Sequence, residues 1–319
     1  MLSVYEKQVR LLLRVLALID YTHPRGDDSP FFAIKGGTAI NFFVWDMPRL
    51  SVDIDLAYCP INDRDTAVRE IDLGMMRLAD ALRQKLGAKV QRTQAVGAAP
   101  KLLVSSGGAT IKVEPNAVIR GTVFDTTMMP VSPAVEHRFA MSVNARCLAQ
   151  ADLFGGKLCA ALDRQHPRDI FDVHLLLNQI GITQNIRKAF LVYLISHPRP
   201  IHEILSPNLN QKIEDVYHRE FQGMTDLNVS LATLKDMQAA LAPHIRSLLS
   251  DEERDFLVSF KDGTPNWALL GIPHAASLPG VQWKLYNIRK LKNNELKHGE
   301  YLEKLKRLLA DDIRGTVGI

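Results

Sequence analysis

Disulfides, membrane spans and the common nucleotide loops are all missing from this chain. Its 319 residues include three cysteines, Cys59, Cys147 and Cys159, which are odd in number, widely spaced and without a C-x-x-C pair. That excludes a disulfide framework and a structural zinc site, and it suits a reducing compartment. No apolar run is long enough to cross a bilayer. The leucine-rich N-terminus is interrupted by Glu6, Lys7, Arg10 and Arg14, so it reads as an amphipathic helix and not as a signal peptide. The expectation is a cytoplasmic protein with no membrane partner. Charge of one sign is also scarce. Thirty-nine Lys and Arg against 35 Asp and Glu leave +4, which fits an anionic partner such as a nucleotide or RNA without selecting one. There is no Walker A loop, Rossmann glycine pattern, serine-hydrolase elbow, internal repeat or low-complexity segment. A hydrophobic content of 46% is that of an ordinary soluble protein with one large core or two moderate ones.

What is present is concentrated in Ile34 to Tyr58, I-K-G-G-T-A-I-N-F-F-V-W-D-M-P-R-L-S-V-D-I-D-L-A-Y. An apolar run, Phe31 to Ile34, ends at Lys35-Gly36-Gly37-Thr38. A helix-like segment follows from Ala39 to about Trp45, and then a strand from Ser51 to Tyr58. Strand side chains alternate, so Asp53 and Asp55 share one face while Val52, Ile54 and Leu56 turn to the core. Two carboxylates that close repel unless a cation lies between them, and hard oxygens suit Mg²⁺ (or Mn²⁺). The glycine pair permits close backbone approach, and a helix start offers free N–H groups to phosphate. Taken alone, D-x-D is usually a polar strand face and G-G is usually a turn; together, at this spacing, they suit nucleotidyl transfer.

A second stretch runs from Leu148 to Leu177. Lys157, Ala160, Ala161 and Arg164 fall on one helical face. Pro167 opens the next helix, and Asp169 and Asp172 share its face. Lysine is a compact cation suited to triphosphate oxygens, and either aspartate could hold it. The plainer alternative is a salt-bridge cluster joining two helices. Between the two stretches, residues 63–86 read as a helix closed by Gly87. Lys89–Thr93 is a candidate strand, and Lys101–Val104 and Thr110–Glu114 form a hairpin around Ser105-Ser106-Gly107-Gly108. Residues 122–138 read as a Thr- and Pro-rich loop, and Phe139–Val143 as a strand. From residue 180 onward the pattern is helical (183–195, 210–221, 229–249, 251–260). A final helix runs from Trp283 to about Leu309; its mixed charges fit either a solvated face or a surface that steers RNA.

K-G-G-T-A-I-N followed by R-x-S-x-D-I-D-L resembles the AbiEii/AbiGii (MenT-like) nucleotidyltransferase toxins of the polymerase-β-like superfamily. The match is carried by Lys35, Gly36, Gly37, Thr38, Asn41, Arg49, Ser51, Asp53 and Asp55. Thr38 stands where the wider superfamily has serine. The K-x-x-A-x-x-x-R-x-x-x-R-D-x-x-D run at Lys157–Asp172 matches the same family's second signature, and softer matches follow at Phe221–Met224, Glu253–Phe260 and Leu278–Asn287. The resemblance implies an α+β nucleotidyltransferase fold, with a small mixed sheet and flanking helices at residues 1–180 and an all-helical C-terminal domain at 181–319. It implies a metal-dependent toxin of a toxin–antitoxin system that moves NMP from an NTP to an acceptor, expected to be the 3′ end of tRNA, with a cognate antitoxin protein as partner. The implied catalytic set is Asp53, Asp55, Lys157, Asp172 and Asp169. The nucleotide set is Lys35, Gly36, Gly37, Thr38, Ser51 and Arg49. The metal set is Asp53, Asp55 and, as a candidate third carboxylate on a neighbouring strand, Glu114. Other classes that fit are a nucleotide-binding interaction module without transfer activity and a transferase acting on a protein or small molecule.

Overall fold

The computed structural model describes residues 5–23, 29–93 and 99–315. The chain divides into two compact units. One comprises Met1–Leu153 with Gln222–Asn228, and the other Phe154–Phe221 with Val229–Ile319.

The first unit is α+β. Helix α1 (Glu6–Leu16) is followed by a 3₁₀ turn at Ile19–Thr22. Strand β1 (Phe32–Lys35) runs directly into α2 (Gly36–Ala39), which widens into a π-helical turn at Ile40–Val44. Strand β2 (Asp53–Tyr58), helix α3 (Arg64–Leu86) and strands β3 (Lys89–Thr93), β4 (Lys101–Ser106), β5 (Ala109–Arg120) and β6 (Thr127–Pro130) come next. Helix α4 (Pro133–Phe139), strand β7 (Asn144–Cys147) and the start of α5 (Gln150–Arg164) complete it. The strands form one mixed sheet in the order β3-β4-β5-β2-β1-β7-β6. β2 pairs parallel with β5, and β1 pairs parallel with β7.

Local rules explain most of these elements. Asp63 caps α3 by accepting from the Thr66 N–H at 2.9 Å, and Gly87 ends it in the left-handed region at φ 58°. Gly74 lets α3 settle on the Phe31 and Phe32 rings, because a Cβ there would lie 2.6 Å from Phe31. Ile54, Leu56, Ile111 and Val113 are buried, and α1 and α3 pack on β5. Val52 lies just before β2 and is only half-buried.

Further expectations for this unit need correction. The helix after the glycines begins at Gly36 itself and not at Ala39. Residues 122–138 are not a plain loop: they contain β6 and α4, with Pro133 opening the helix and Val131, Val135 and Phe139 buried. Phe139–Val143 is not a strand. Phe139 ends α4, Ala140 at φ 51° stops the helix, and the strand starts at Asn144.

The second unit is helical: α6 (Pro167–Gln179), α7 (Gln184–Ser196), α8 (Ile201–Leu205), α9 (Ile213–Glu220), α10 (Leu231–Ser247), α11 (Asp251–Asp262), α12 (Trp267–Leu270), α13 (Pro279–Lys292) and α14 (Glu295–Gly315). Phe171, Phe190, Phe256 and Phe260 are fully buried in it. Gly155 of α5 brings that helix against the α7 backbone; a Cβ there would meet the Phe190 amide nitrogen at 2.6 Å. Ser250 and Glu253 form a reciprocal capping box on α11. The expected single helix from Trp283 to Leu309 is two helices. Asn294 breaks it, its side chain accepting from the Lys297 N–H at 3.1 Å to start α14. Among the described residues no helix is long and apolar enough to cross a membrane.

Candidate active site

The glycine turn and the D-x-D strand meet in the first unit. Antiparallel pairing sets Lys35 opposite Asp55, and parallel pairing sets Asp53 beside Lys112 and Asp55 beside Glu114. Paired residues share a face. Lys35, Asp55 and Glu114 therefore form one row across β1, β2 and β5, and Asp53 and Lys112 form the next. Asp53 and Asp55 are half-buried, whereas Ile54 between them is completely covered.

The glycines are required by what lies against them. Gly36 has φ 70°, and a Cβ there would sit 2.6 Å from Asp55 Oδ2. A Cβ on Gly37 would sit 2.7 Å from Arg49 Nη2 and 3.2 Å from Ser51 Oγ. The pair thus brings the helix start against a carboxylate and a guanidinium, both from the signature. Thr38 is buried; its hydroxyl donates to the Asp53 carbonyl at 2.6 Å and lies 2.9 Å from Ser51 Oγ. This ties α2 to the strand carrying the aspartates. Asn41 donates to the Gly37 carbonyl at 2.9 Å. Arg49 is buried, donates to the Leu50 carbonyl at 2.9 Å, and bridges to Thr225 in the returning segment. That return, with the Leu50 N–H donating to the Met224 carbonyl at 2.8 Å, steadies the approach to β2.

Glu114 lies next to Asp55 in register, but its carboxylate already receives Lys101 at 2.5 Å and Lys112 at 2.8 Å. Burial raises the Glu114 carboxyl, and the two lysine hydrogen bonds outweigh it, leaving a net lowering. The bond to Glu114, with the fields of Asp53 and Asp55, holds Lys112 above its ordinary value. Strand alternation already puts Lys112 on the same face as Glu114; reading by pattern missed Lys101 as a neighbour and the ion pairs that both lysines make. The hairpin turn at Gly107-Gly108 carried the signal, because its register sets Leu103 opposite Lys112 and hence Lys101 opposite Glu114.

The donor set fits a divalent cation of the Mg²⁺ kind. Two half-exposed carboxylates on one face are hard oxygen ligands, and Mg²⁺ typically takes one or two carboxylates plus waters and substrate phosphates. Among the described residues no three His, Cys, Asp or Glu side chains form a closed cage. Burial pushes the Cys59 and Cys147 thiols up to about 12, so neither offers a thiolate at neutral pH.

The second signature forms its own cluster in the second unit. Lys157 Nζ lies 2.7 Å from Asp169 Oδ1 and 3.0 Å from Asp172 Oδ2. Arg164 Nε reaches Asp169 Oδ2 at 2.5 Å and its Nη2 reaches Oδ1 at 3.0 Å. Both aspartates, not one, hold the lysine. All three side chains are at most 5% exposed, while Arg164 is 63% exposed. Burial raises the Asp169 carboxyl, but Lys157 and Arg164 overcome it and hold the group well below the usual carboxylate range. His166 caps α6 by accepting from the Arg168 N–H, and its other ring nitrogen lies 3.0 Å from Glu220.

The family model for the nucleotidyl transferase AbiEii toxin of type IV toxin–antitoxin systems matches residues 21–275. The solved structure of MenT4, a nucleotidyltransferase toxin from Mycobacterium tuberculosis H37Rv, overlays with a TM-score of 0.58 at 15% identity, over 88% of this chain and 91% of that one. That likeness establishes a shared fold. A candidate nucleotidyltransferase from H. pylori gives a TM-score of 0.42 at 16% identity, over 76% of this chain and 93% of that one, and carries no argument. Among curated proteins none matches.

Proposed function

This chain belongs to the AbiEii family of nucleotidyl transferase toxins from type IV toxin–antitoxin systems, and from that premise we propose that it transfers NMP from an NTP to the 3′ end of tRNA with Mg²⁺. The observation that carries the reading is the packing of Gly36 on Asp55, which sets a helix start, a D-x-D strand and Lys35 around one half-exposed face. Asp53 and Asp55 would hold the cation, which when bound draws charge from the phosphate oxygens undergoing transfer.

The other roles fall to this chain's residues. The backbone at Gly36 and Gly37 offers N–H groups to phosphate. Thr38 and Ser51 fix that backbone to β2, while Lys35 and Arg49 supply positive charge beside it. Lys157, with Asp169 and Asp172, is the proposed cation for charge developing in phosphoryl transfer. The acceptor hydroxyl attacks the α-phosphorus, the bond to the bridging oxygen breaks, and pyrophosphate leaves. A cognate antitoxin protein is the expected partner. The test is a pair of incubations with total tRNA, one with α-labelled and one with γ-labelled NTP. The reading requires α label on tRNA and γ label in pyrophosphate. Gamma label on any acceptor would replace it with a kinase.

A further inference from the structure

Helix α13 has an outer face to which the proposed transfer reaction assigns no residue. Trp283 and Tyr286 are 64% and 58% exposed, and their rings are stacked with centroids 5.6 Å apart at 20°. Large aromatics left in water side by side are unusual, because each would gain from burial. Val281, Leu285 and Ile288 bury the opposite side of the same helix, so the pair is not a piece of misplaced core. Lys290 lies seven residues from Trp283 and four from Tyr286, which puts it on the same strip. Arg289 is three residues from Tyr286. Both cations are exposed, and neither has an ion-pair partner among the described residues. From Pro279 to Asn294 the sequence contains four cations and no Asp or Glu. Lys284, by contrast, is turned away, with its ammonium bonded to the carbonyls of His197 and Arg199 at 2.6 and 2.7 Å. On α14, Glu295 at the helix start is the first acid after the strip, and the next two are matched, Glu300 by Lys304 and Glu303 by Lys306.

We propose that the Trp283–Tyr286 pair, with Arg289 and Lys290, is a stacking platform for an unpaired segment of nucleic acid. Nearly parallel, solvent-facing rings extend a stack of bases, and an acid-free strip beside them suits phosphates and not an acidic protein. Base-paired nucleic acid keeps its bases stacked inside, so the platform should select single strands. The site is one of binding and needs neither NTP nor metal, so its failure is separate from failure of the transfer reading.

The test is fluorescence anisotropy of the full-length protein with labelled 12-mers of uridine, thymidine and a hairpin duplex, from low to moderate salt. The single strands should bind more tightly than the duplex. Trp283→Ala should weaken single-strand binding about 5- to 150-fold, the range for one stacked base, and Trp283→Phe should restore most of it. Lys290→Ala should lower the salt slope by about 0.7. Preference for the uridine strand would assign RNA, and equal binding would assign unpaired nucleic acid in general. The melting temperature of Trp283→Ala should match wild type, since the ring is mostly in water, so lost binding is not lost folding. Unchanged binding in Trp283→Ala, or equal affinity for duplex and single strand, overturns the proposal. So does a sedimentation shift to smaller species in Trp283→Ala with oligonucleotide binding intact, which would make this face a contact between copies of the chain.

Discussion

Replacing Gly36 by alanine should damage the site more than the fold. Two effects add at this position. The first is conformational: φ 70° costs a non-glycine residue about 1–2 kcal/mol. At about 2–4 °C per kcal/mol for a unit of this size, the melting temperature should fall by roughly 2–8 °C. The second is the 2.6 Å approach of the new Cβ to Asp55 Oδ2. A carboxylate can rotate away, so this costs little stability, but rotation moves a proposed metal ligand, and a displacement of about 1 Å can cost on the order of 100-fold in rate. Gly87→Ala is the control. Gly87 has φ 58° and nothing within 4 Å of the added Cβ, so it should show a comparable melting shift with unchanged transfer. Thermal denaturation and single-turnover transfer to tRNA, run on both variants, separate the two effects. If Gly36→Ala retains wild-type transfer, Asp55 is not held by this packing and the reasoning fails.

Three further outcomes follow from the charge clusters. Lys157→Met leaves Asp169 and Asp172 buried without their lysine, which should cost about 3–5 kcal/mol by chemical denaturation and at least about 100-fold in transfer where the protein is still folded; a melting curve equal to wild type would refute the first part. Asp169 has its folded carboxyl held below the unfolded value near 3.9, so its stabilisation is full above about pH 4 and is lost as pH falls further. Wild type should therefore lose more stability from pH 5 to 3 than Asp169→Asn does, which denaturant titrations at each pH would check. Glu114→Gln should reduce transfer less than about tenfold, since Lys101 and Lys112 already balance that carboxylate; a loss above about 100-fold would instead make it a metal ligand.

Much of the site was legible because it is local. The G-G turn, the alternation of Asp53 and Asp55 and the shared face of Asp169 and Asp172 all follow from helix and strand periods. Helix α3 was legible from Asp63 to Gly87 because both caps are in the sequence. The sheet order was not. Parallel pairing of β2 with β5 and of β1 with β7 joins segments far apart, and no turn chemistry encodes it. For the same reason the ion pairing of Glu114 went unread until the strands were placed. Residues 122–138 read as a loop because they are rich in threonine and proline, yet Pro133 at a helix start and buried Val135 and Phe139 made α4. The break at Asn293-Asn294 was hidden by continuous lysine- and leucine-type periodicity, although asparagine is a capping residue. Thr38 and Ser51 carry a role that pattern alone does not distinguish: they bond each other, and Thr38 bonds the Asp53 backbone.

The central claim is that Asp53 and Asp55 support metal-dependent transfer. It is tested most directly by incubating wild type, Asp53→Ala and Asp55→Ala with Mg²⁺, each α-labelled NTP in turn and total tRNA, and reading label on a denaturing gel. The account predicts label on tRNA with wild type, from at least one NTP, and none with either variant or when EDTA replaces Mg²⁺. Label that persists in Asp53→Ala or in EDTA, or wild type that labels no tRNA with any NTP, would contradict it.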